Sequence, residues 1–226
     1  MYMELKLQYN NTSNILIATG NAHKFKEIKE IIGGCGGLNP IFLDKSYGIE
    51  IIEDGKTYEE NAKIKAAGYI DYLNKKPDLK KFLDIQFILS EDSGLEVERL
   101  DGAPGLFTAR YAGENASDSS NIEKLLMEMS LKKECASNRR AKFVCYACLY
   151  DTTENNFQYF YGELSGFIAE NASGTKGFGY DPVFIVPEFN KTAALLDSAQ
   201  KNAISHRGTA FRKAADAIKS KLNIHG

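Results

Sequence analysis

Residues 15–32 change their hydrophobic period within a single turn, and no other feature constrains the fold as much. Ile15-Leu16-Ile17-Ala18 is an unbroken apolar run of strand length. Thr19-Gly20-Asn21 interrupts it, and from Phe25 onward Phe25, Ile28 and Ile31/Ile32 share one helical face. Gly33-Gly34-Cys35-Gly36-Gly37 then ends the helix. A strand that feeds a helix through a short polar turn is the opening unit of an α/β protein.

The rest of the chain keeps both periods but not strict alternation. A second helix begins near Thr57, where Thr57-Tyr58-Glu59-Glu60 has the form of a capping box, and Tyr58, Ala62, Ala66, Tyr69 and Leu73 line its inner face. Pro77 and the charged stretch Lys75–Lys81 read as a surface excursion. Ile85–Leu89 is the next strand, followed by Ser90-Glu91-Asp92-Ser93-Gly94, in which Glu91 and Asp92 sit at the strand's end ahead of a Ser93-Gly94 turn. Asn121–Met129 is helical, and Ala141–Tyr150 and Phe157–Ile168 are strands joined as a hairpin across Asp151–Asn156. A glycine-rich loop, Gly174–Gly179, leads to the strand Val183–Val186, and a last helix runs from about Thr209 to Leu222. This order implies a mixed sheet flanked by helices. We divide the chain into a polar leader, residues 1–14, and one α/β domain, residues 15–226.

Charge and cysteine usage remove several functions. The net charge of −2 lacks the basic excess needed to coat nucleic acid or an anionic membrane. No apolar run approaches the roughly 20 residues that span a bilayer, and residues 1–14 lack the apolar stretch of a secretory signal. Cys35, Cys135, Cys145 and Cys148 are irregularly spaced and read as small core residues in a reducing cytosol, which suggests a cytoplasmic protein.

Four clusters can carry chemistry. Thr19-Gly20-Asn21-Ala22-His23-Lys24 lies between a strand and a helix start, where free N–H groups, a glycine and a lysine suit a phosphate. It has no GK[ST] ending and alone fits a plain turn equally well. Glu91 and Asp92 follow an apolar strand, and Glu53 ends the run Ile49–Ile52; such carboxylates suit a hard cation such as Mg²⁺, or are simply solvated. Neighbours on an extended chain point to opposite sides, so Glu91 and Asp92 should do different jobs. Gly177-Phe178-Gly179-Tyr180-Asp181-Pro182 can present an aromatic ring to a planar base, or form a turn with core aromatics. Finally, Lys201 precedes Ser205-His206-Arg207-Gly208, where Ser205 is a helix cap and two basic side chains oppose the helix dipole. A cation placed there calls for a polar or anionic neighbour. Together these are the parts of a Mg²⁺-dependent nucleotide enzyme.

In these clusters the chain resembles the inosine triphosphate pyrophosphatases, the Ham1/RdgB-like enzymes that act on non-standard purine nucleoside triphosphates. The resemblance rests on ATGNAHKFKEI at 18–28, EDGKTYEENAKIKA at 53–66, SEDSGLEVERLDGAPGLFTARYAG at 90–113, GTKGFGYDPVF at 174–184, KTAAL at 191–195 and KNAISHRGTA at 201–210. It implies a homodimer, a long mixed sheet, and two lobes with a nucleotide-binding cleft between them. It further implies that Thr19, Gly20, Asn21, Ala22, His23 and Lys24 bind the triphosphate, with Lys65 and Lys201 reaching it from other sides. Glu53 and Asp92 would hold Mg²⁺, with Mn²⁺ a possible substitute. Asp92 would also be the general base and Ser93 a substrate contact. Phe178, Gly179, Tyr180 and Asp181 would meet the base, and His206 and Arg207 would recognise the purine. The leader and the lysine-rich stretch 74–84 look like insertions, and Glu91 stands where many bacterial members have Asp.

The expected reaction is hydrolysis of ITP, dITP and XTP to monophosphate and pyrophosphate. Two alternatives are a Maf-like pyrophosphatase of pyrimidine or modified nucleotides, against which the Ser205-His206-Arg207 stretch and the aromatic loop argue, and a nucleotide sensor without turnover, for which two retained acids have little use.

Overall fold

The computed structural model describes residues 12–132 and 138–223. Its strands are β1 (Ser13–Ala18), β2 (Leu38–Phe42), β3 (Ile85–Val97), β4 (Arg140–Asp151), β5 (Asn156–Ile168), β6 (Phe184–Val186) and β7 (Lys191–Thr192). Its helices are α1 (Ala22–Gly33), α2 (Tyr58–Asn74), α3 (Pro77–Leu83), α4 (Asp118–Leu131), α5 (Ser198–Ile204) and α6 (His206–Leu222). The strands form one seven-stranded mixed sheet in the order β2-β1-β3-β4-β5-β6-β7. β1 is parallel to both β2 and β3, and every later pairing is antiparallel.

Helices cover both faces of β1, which is why Ile15, Leu16, Ile17 and Ala18 are all fully buried and read as an unbroken apolar run. On one face Ile15, Ile17 and Leu89 pack with Ile28 and Ile32 of α1 and with Phe211 and Ala214 of α6. On the other face Leu16, Ala18 and Ile88 pack with Tyr69 and Leu73 of α2. Leu95, Val97, Phe143, Tyr180 and Phe184 build a further core with Leu125 and Met129 of α4. Each buried aliphatic or aromatic side chain here contributes about 1.5–3 kcal/mol relative to exposure. Cys145 and Cys148, three apart on β4, face opposite clusters as small core residues; Cys135 lies outside the described residues.

Several sequence expectations are corrected. The strand does not end at Leu89 and Ser93-Gly94 is no turn: β3 runs on to Val97, and Glu91, Asp92 and Ser93 pair with Ala147, Tyr146 and Cys145 of β4. The stretch after Lys75 is a short helix, α3, with Pro77 in its first turn, where a missing N–H costs nothing. Ser117 caps α4, so that helix starts three residues before Asn121. Ser205 caps α6 as expected, but helix follows it at once, at His206 rather than near Thr209. Thr57 accepts the Glu60 N–H, whereas the Glu60 carboxylate takes the N–H of Lys56 rather than that of Thr57, so the capping box is incomplete. Ser13 and Asn14, placed with the leader, belong to β1; residues 1–11 lie outside the described residues. The hairpin across Asp151–Asn156 forms as expected.

One close approach fixes the start of α6. A Cβ at Gly162 of β5 would overlap the His206 carbonyl oxygen, so glycine lets the first turn of α6 lie directly on the sheet. Among the described residues no helix is long and apolar enough to cross a membrane.

Candidate active site

The turn after β1 is organised by its own side chains. Thr19 Oγ1 accepts the Asn21 N–H at 3.1 Å, and Asn21 Oδ1 accepts the N–H groups of His23 (2.9 Å) and Lys24 (3.1 Å), capping α1. Gly20 has open space where a Cβ would stand. The turn forms one edge of a cavity of about 830 Å³.

β3 supplies the floor, and its two-residue period sorts the polar side chains. Glu91 and Ser93 point with Leu89 toward α1 and α6, while Ser90 and Asp92 point toward α2. The Ser90 hydroxyl accordingly donates to the Ala62 carbonyl, and Asp92 Oδ2 accepts from Asn61 Nδ2 at 3.1 Å. Glu91 Oε1 receives Lys24 Nζ at 2.8 Å and an Arg207 amino group at 3.2 Å. Burial works against the Glu91 charge, but Arg207, Lys24 and Lys65 outweigh it and hold its pKa well below the usual carboxylate range. Asp92 goes the other way: burial outweighs the pull of Lys65 and Lys24 and raises its pKa. The two neighbours thus face opposite sides of the sheet and meet different partners.

From Arg207 an ionic chain continues across the cavity. Its second amino group meets Glu27 Oε2 at 2.7 Å, Glu27 Oε1 meets Lys201 Nζ at 2.7 Å, and Lys201 also pairs with Asp181. Asp181 Oδ2 accepts the Phe178 N–H at 2.9 Å, closing the aromatic loop on itself. A Cβ at Gly177, where φ is +76°, would collide with that carboxylate. Asp118 at the start of α4 holds the same loop through the Gly179 N–H at 2.6 Å. Phe178 lies within cation–π reach of Lys201 (5.1 Å) and Arg207 (5.6 Å), and the His23 ring stacks on it at 5.6 Å. Tyr180 is a buried wall residue whose hydroxyl donates to the Thr108 carbonyl.

Beside Phe178 two buried atoms lack partners among the described residues: neither His206 Nδ1 nor Arg207 Nε has a hydrogen bond there. The His206 ring stacks on Phe143 at 4.9 Å, and burial, reinforced by Arg207, pushes its pKa well below the usual value, so the imidazole is neutral at pH 7. Arg207 donates to Ser93 Oγ at 3.0 Å.

The sequence-predicted residues therefore largely meet. Thr19, Gly20, Asn21, Lys24, Glu53, Lys65, Asp92, Ser93, Phe178 to Asp181, Lys201, His206 and Arg207 all line one cavity, whereas Ala22 and His23 line neighbouring hollows. Sequence reasoning missed Glu27, Asn61 and Asp118. Glu27 alone carried a signal, standing three residues after Lys24 on the same helix face.

The cavity's oxygen donors suit a hard cation only in part. Glu53, half-buried and paired with Lys65 Nζ at 2.8 Å, and Asp92 both line it. Among the described residues no three His, Cys, Asp or Glu side chains come together as a metal site. Two carboxylates fit Mg²⁺ when phosphate oxygens and water complete its shell.

The fold is that of an α/β protein, and its cavity brings together lysines, carboxylates, an aromatic ring and a buried His-Arg pair. The Ham1 family profile matches residues 15–217, and the chain belongs to that family. It is 45 % identical over 208 residues to a dITP/XTP pyrophosphatase of Clostridium perfringens, covering 92 % of this chain and 98 % of that one. With a dITP/XTP pyrophosphatase of Bacillus subtilis the identity is 39 % over 206 residues, covering 91 % and 96 %. A Ham1 protein structure from Coxiella burnetii matches with a TM-score of 0.76 at 34 % identity, covering 92 % of this chain and all of that one.

Proposed function

We propose that the protein hydrolyses non-canonical purine nucleoside triphosphates, namely dITP, XTP and ITP, to the monophosphate and pyrophosphate. The observation that carries the reading is what lines one cavity: Lys24 and Lys65 with Asp92, together with His206 and Arg207, whose Nδ1 and Nε have no hydrogen-bond partner among the described residues. Family membership and the named activity of the relatives support it.

The residues divide the work as follows. Lys24, Lys65 and the capped turn at Thr19–Asn21 bind the triphosphate and offset the charge that develops on departing pyrophosphate. Asp92, its basicity raised by burial, takes the proton of the attacking water while Asn61 holds its other oxygen. Glu53 and Asp92 would hold Mg²⁺, which supplies Lewis-acid polarisation of the phosphate oxygens. Arg207 Nε–H is a buried donor that a 6-keto oxygen satisfies and the 6-amino group of ATP does not, so the amino base leaves it unpaired. The two-lobed cleft, a homodimer and a cytoplasmic location belong to the same reading and rest on family membership.

Hydrolysis of dITP in isotopically labelled water, read by phosphorus NMR, tests the reaction. Pyrophosphate and dIMP should be the only products, with the label on one of them alone. Release of orthophosphate would refute it.

A further inference from the structure

The Glu91 side chain is buried beneath the cavity, 1 % exposed, and one of its oxygens meets two cations that line it. Oε1 receives Lys24 Nζ at 2.8 Å and the Arg207 amino group at 3.2 Å, so the two cations compete for a single acceptor. The other oxygen accepts from the Cys145 thiol at 3.4 Å, a weak donor. The competitors are unequal. Among the described residues Lys24 has Glu91 as its one ion-pair partner and a side chain 18 % exposed, whereas Arg207 has a second carboxylate, Glu27, and a side chain 3 % exposed. An incoming polyanion therefore draws Lys24 away and leaves Arg207 in place.

From this geometry we infer that Glu91 is a positioning residue that couples recognition of the triphosphate to recognition of the base. The inference rests on the functional reading above. When phosphate oxygens take Lys24, Glu91 Oε1 is left to Arg207 alone, and their contact shortens and strengthens. Arg207 is then clamped by Glu91, Glu27 and Ser93, which fixes the orientation of its unpartnered Nε–H toward a base edge. A triphosphate thus sharpens base discrimination beyond what the same base receives on a monophosphate. Coupling is reciprocal, so the correct base also tightens the hold on the triphosphate. A nucleoside monophosphate product, too short to draw Lys24 fully away, loses this advantage and leaves more readily.

The test is a set of dissociation constants, measured by calorimetry with Mg²⁺, for IMP, AMP and the non-hydrolysable α,β-methylene analogues of ITP and ATP. In the wild-type protein the preference for inosine over adenine should rise at least about fivefold from monophosphate to triphosphate, the lower end of what coupling between sites delivers. Glu91→Gln keeps the shape of the side chain but removes the charge that both cations seek, and its preference should be the same at both lengths. Lys24→Ala removes the competitor permanently, so its preference at the monophosphate should already match the wild-type triphosphate value; this variant keeps the test open should Glu91→Gln fold poorly. A wild-type preference independent of phosphate length, or a rise that survives in Glu91→Gln, overturns the coupling while leaving the hydrolase reading intact. A wild-type protein with no inosine preference at either length refutes the base-recognition reading, and the coupling with it.

Discussion

His206 offers a prediction whose size follows from its surroundings. The ring is 5 % exposed, stacked on Phe143, without a partner at Nδ1, and beside Arg207. Burial most of all, and then Arg207, disfavour the imidazolium and outweigh the opposing pull of Glu91, so the folded pKa lies well below that of the unfolded chain, about 6.5. A histidine with a depressed folded pKa binds its proton first in the unfolded state. Its contribution to stability is complete above about pH 6.5 and is lost as the pH falls below that value. The loss is at most about 1.4 kcal/mol per pH unit, so no more than about 2 kcal/mol by pH ~5. For a domain of this size that is about 4–8 °C in Tm. Calorimetric melting of the wild-type protein and of His206→Gln at about pH 7 and about pH 5 isolates the effect. Carboxylates such as Asp92 and Asp181, whose pKa values are raised by burial, shift both proteins alike and cancel in the comparison. The wild type should lose several degrees more than the variant on acidification. Equal losses would mean that His206 takes up its proton in the folded state as easily as in the unfolded one, and the reasoning about its burial would fail.

Other substitutions probe the residues that line the cavity. Asp92→Asn removes the base while an amide can still meet Asn61; turnover should fall by about 10²–10⁴ in single-turnover assays, with ITP binding largely kept and Tm no lower, because burial makes the ionised carboxylate a burden on the folded state. Arg207→Ala should lower kcat/KM for ITP by roughly ten- to a hundredfold and that for ATP much less; an unchanged ratio between the two would place the base elsewhere.

The first unit of the fold was legible because β1 and α1 differ in period and both bury one well-defined set of side chains. The caps at Thr57 and Ser205 were legible because a cap is local chemistry. The strand was ended too early, with a turn at Ser93-Gly94, because five polar or small residues follow Leu89, yet each polar side chain there meets a partner from a remote element: Lys24 and Arg207 at Glu91, Asn61 at Asp92, Ala62 at Ser90, Arg207 at Ser93. Pairing with β4 and helices on both faces override the local preference. Glu27 and Asn61 were missed for the same reason. Each sits on a helix with ordinary surface polarity, and only the fold shows that Glu27 joins two cations from the far end of the chain. The residues lining the cavity were found more completely than those that hold them in place, because binding groups recur as compact motifs and their supports do not.

The central claim is that the cavity selects an inosine- or xanthine-type base on a triphosphate. Steady-state pyrophosphate release from ITP, dITP, XTP, GTP and ATP with Mg²⁺, in parallel with EDTA, measures it directly. We predict kcat/KM for ITP, dITP and XTP at least about 100-fold above that for ATP, as expected where a buried donor is left unpaired by the wrong base, and no turnover in EDTA. Hydrolysis of ATP as efficient as that of ITP would contradict the account.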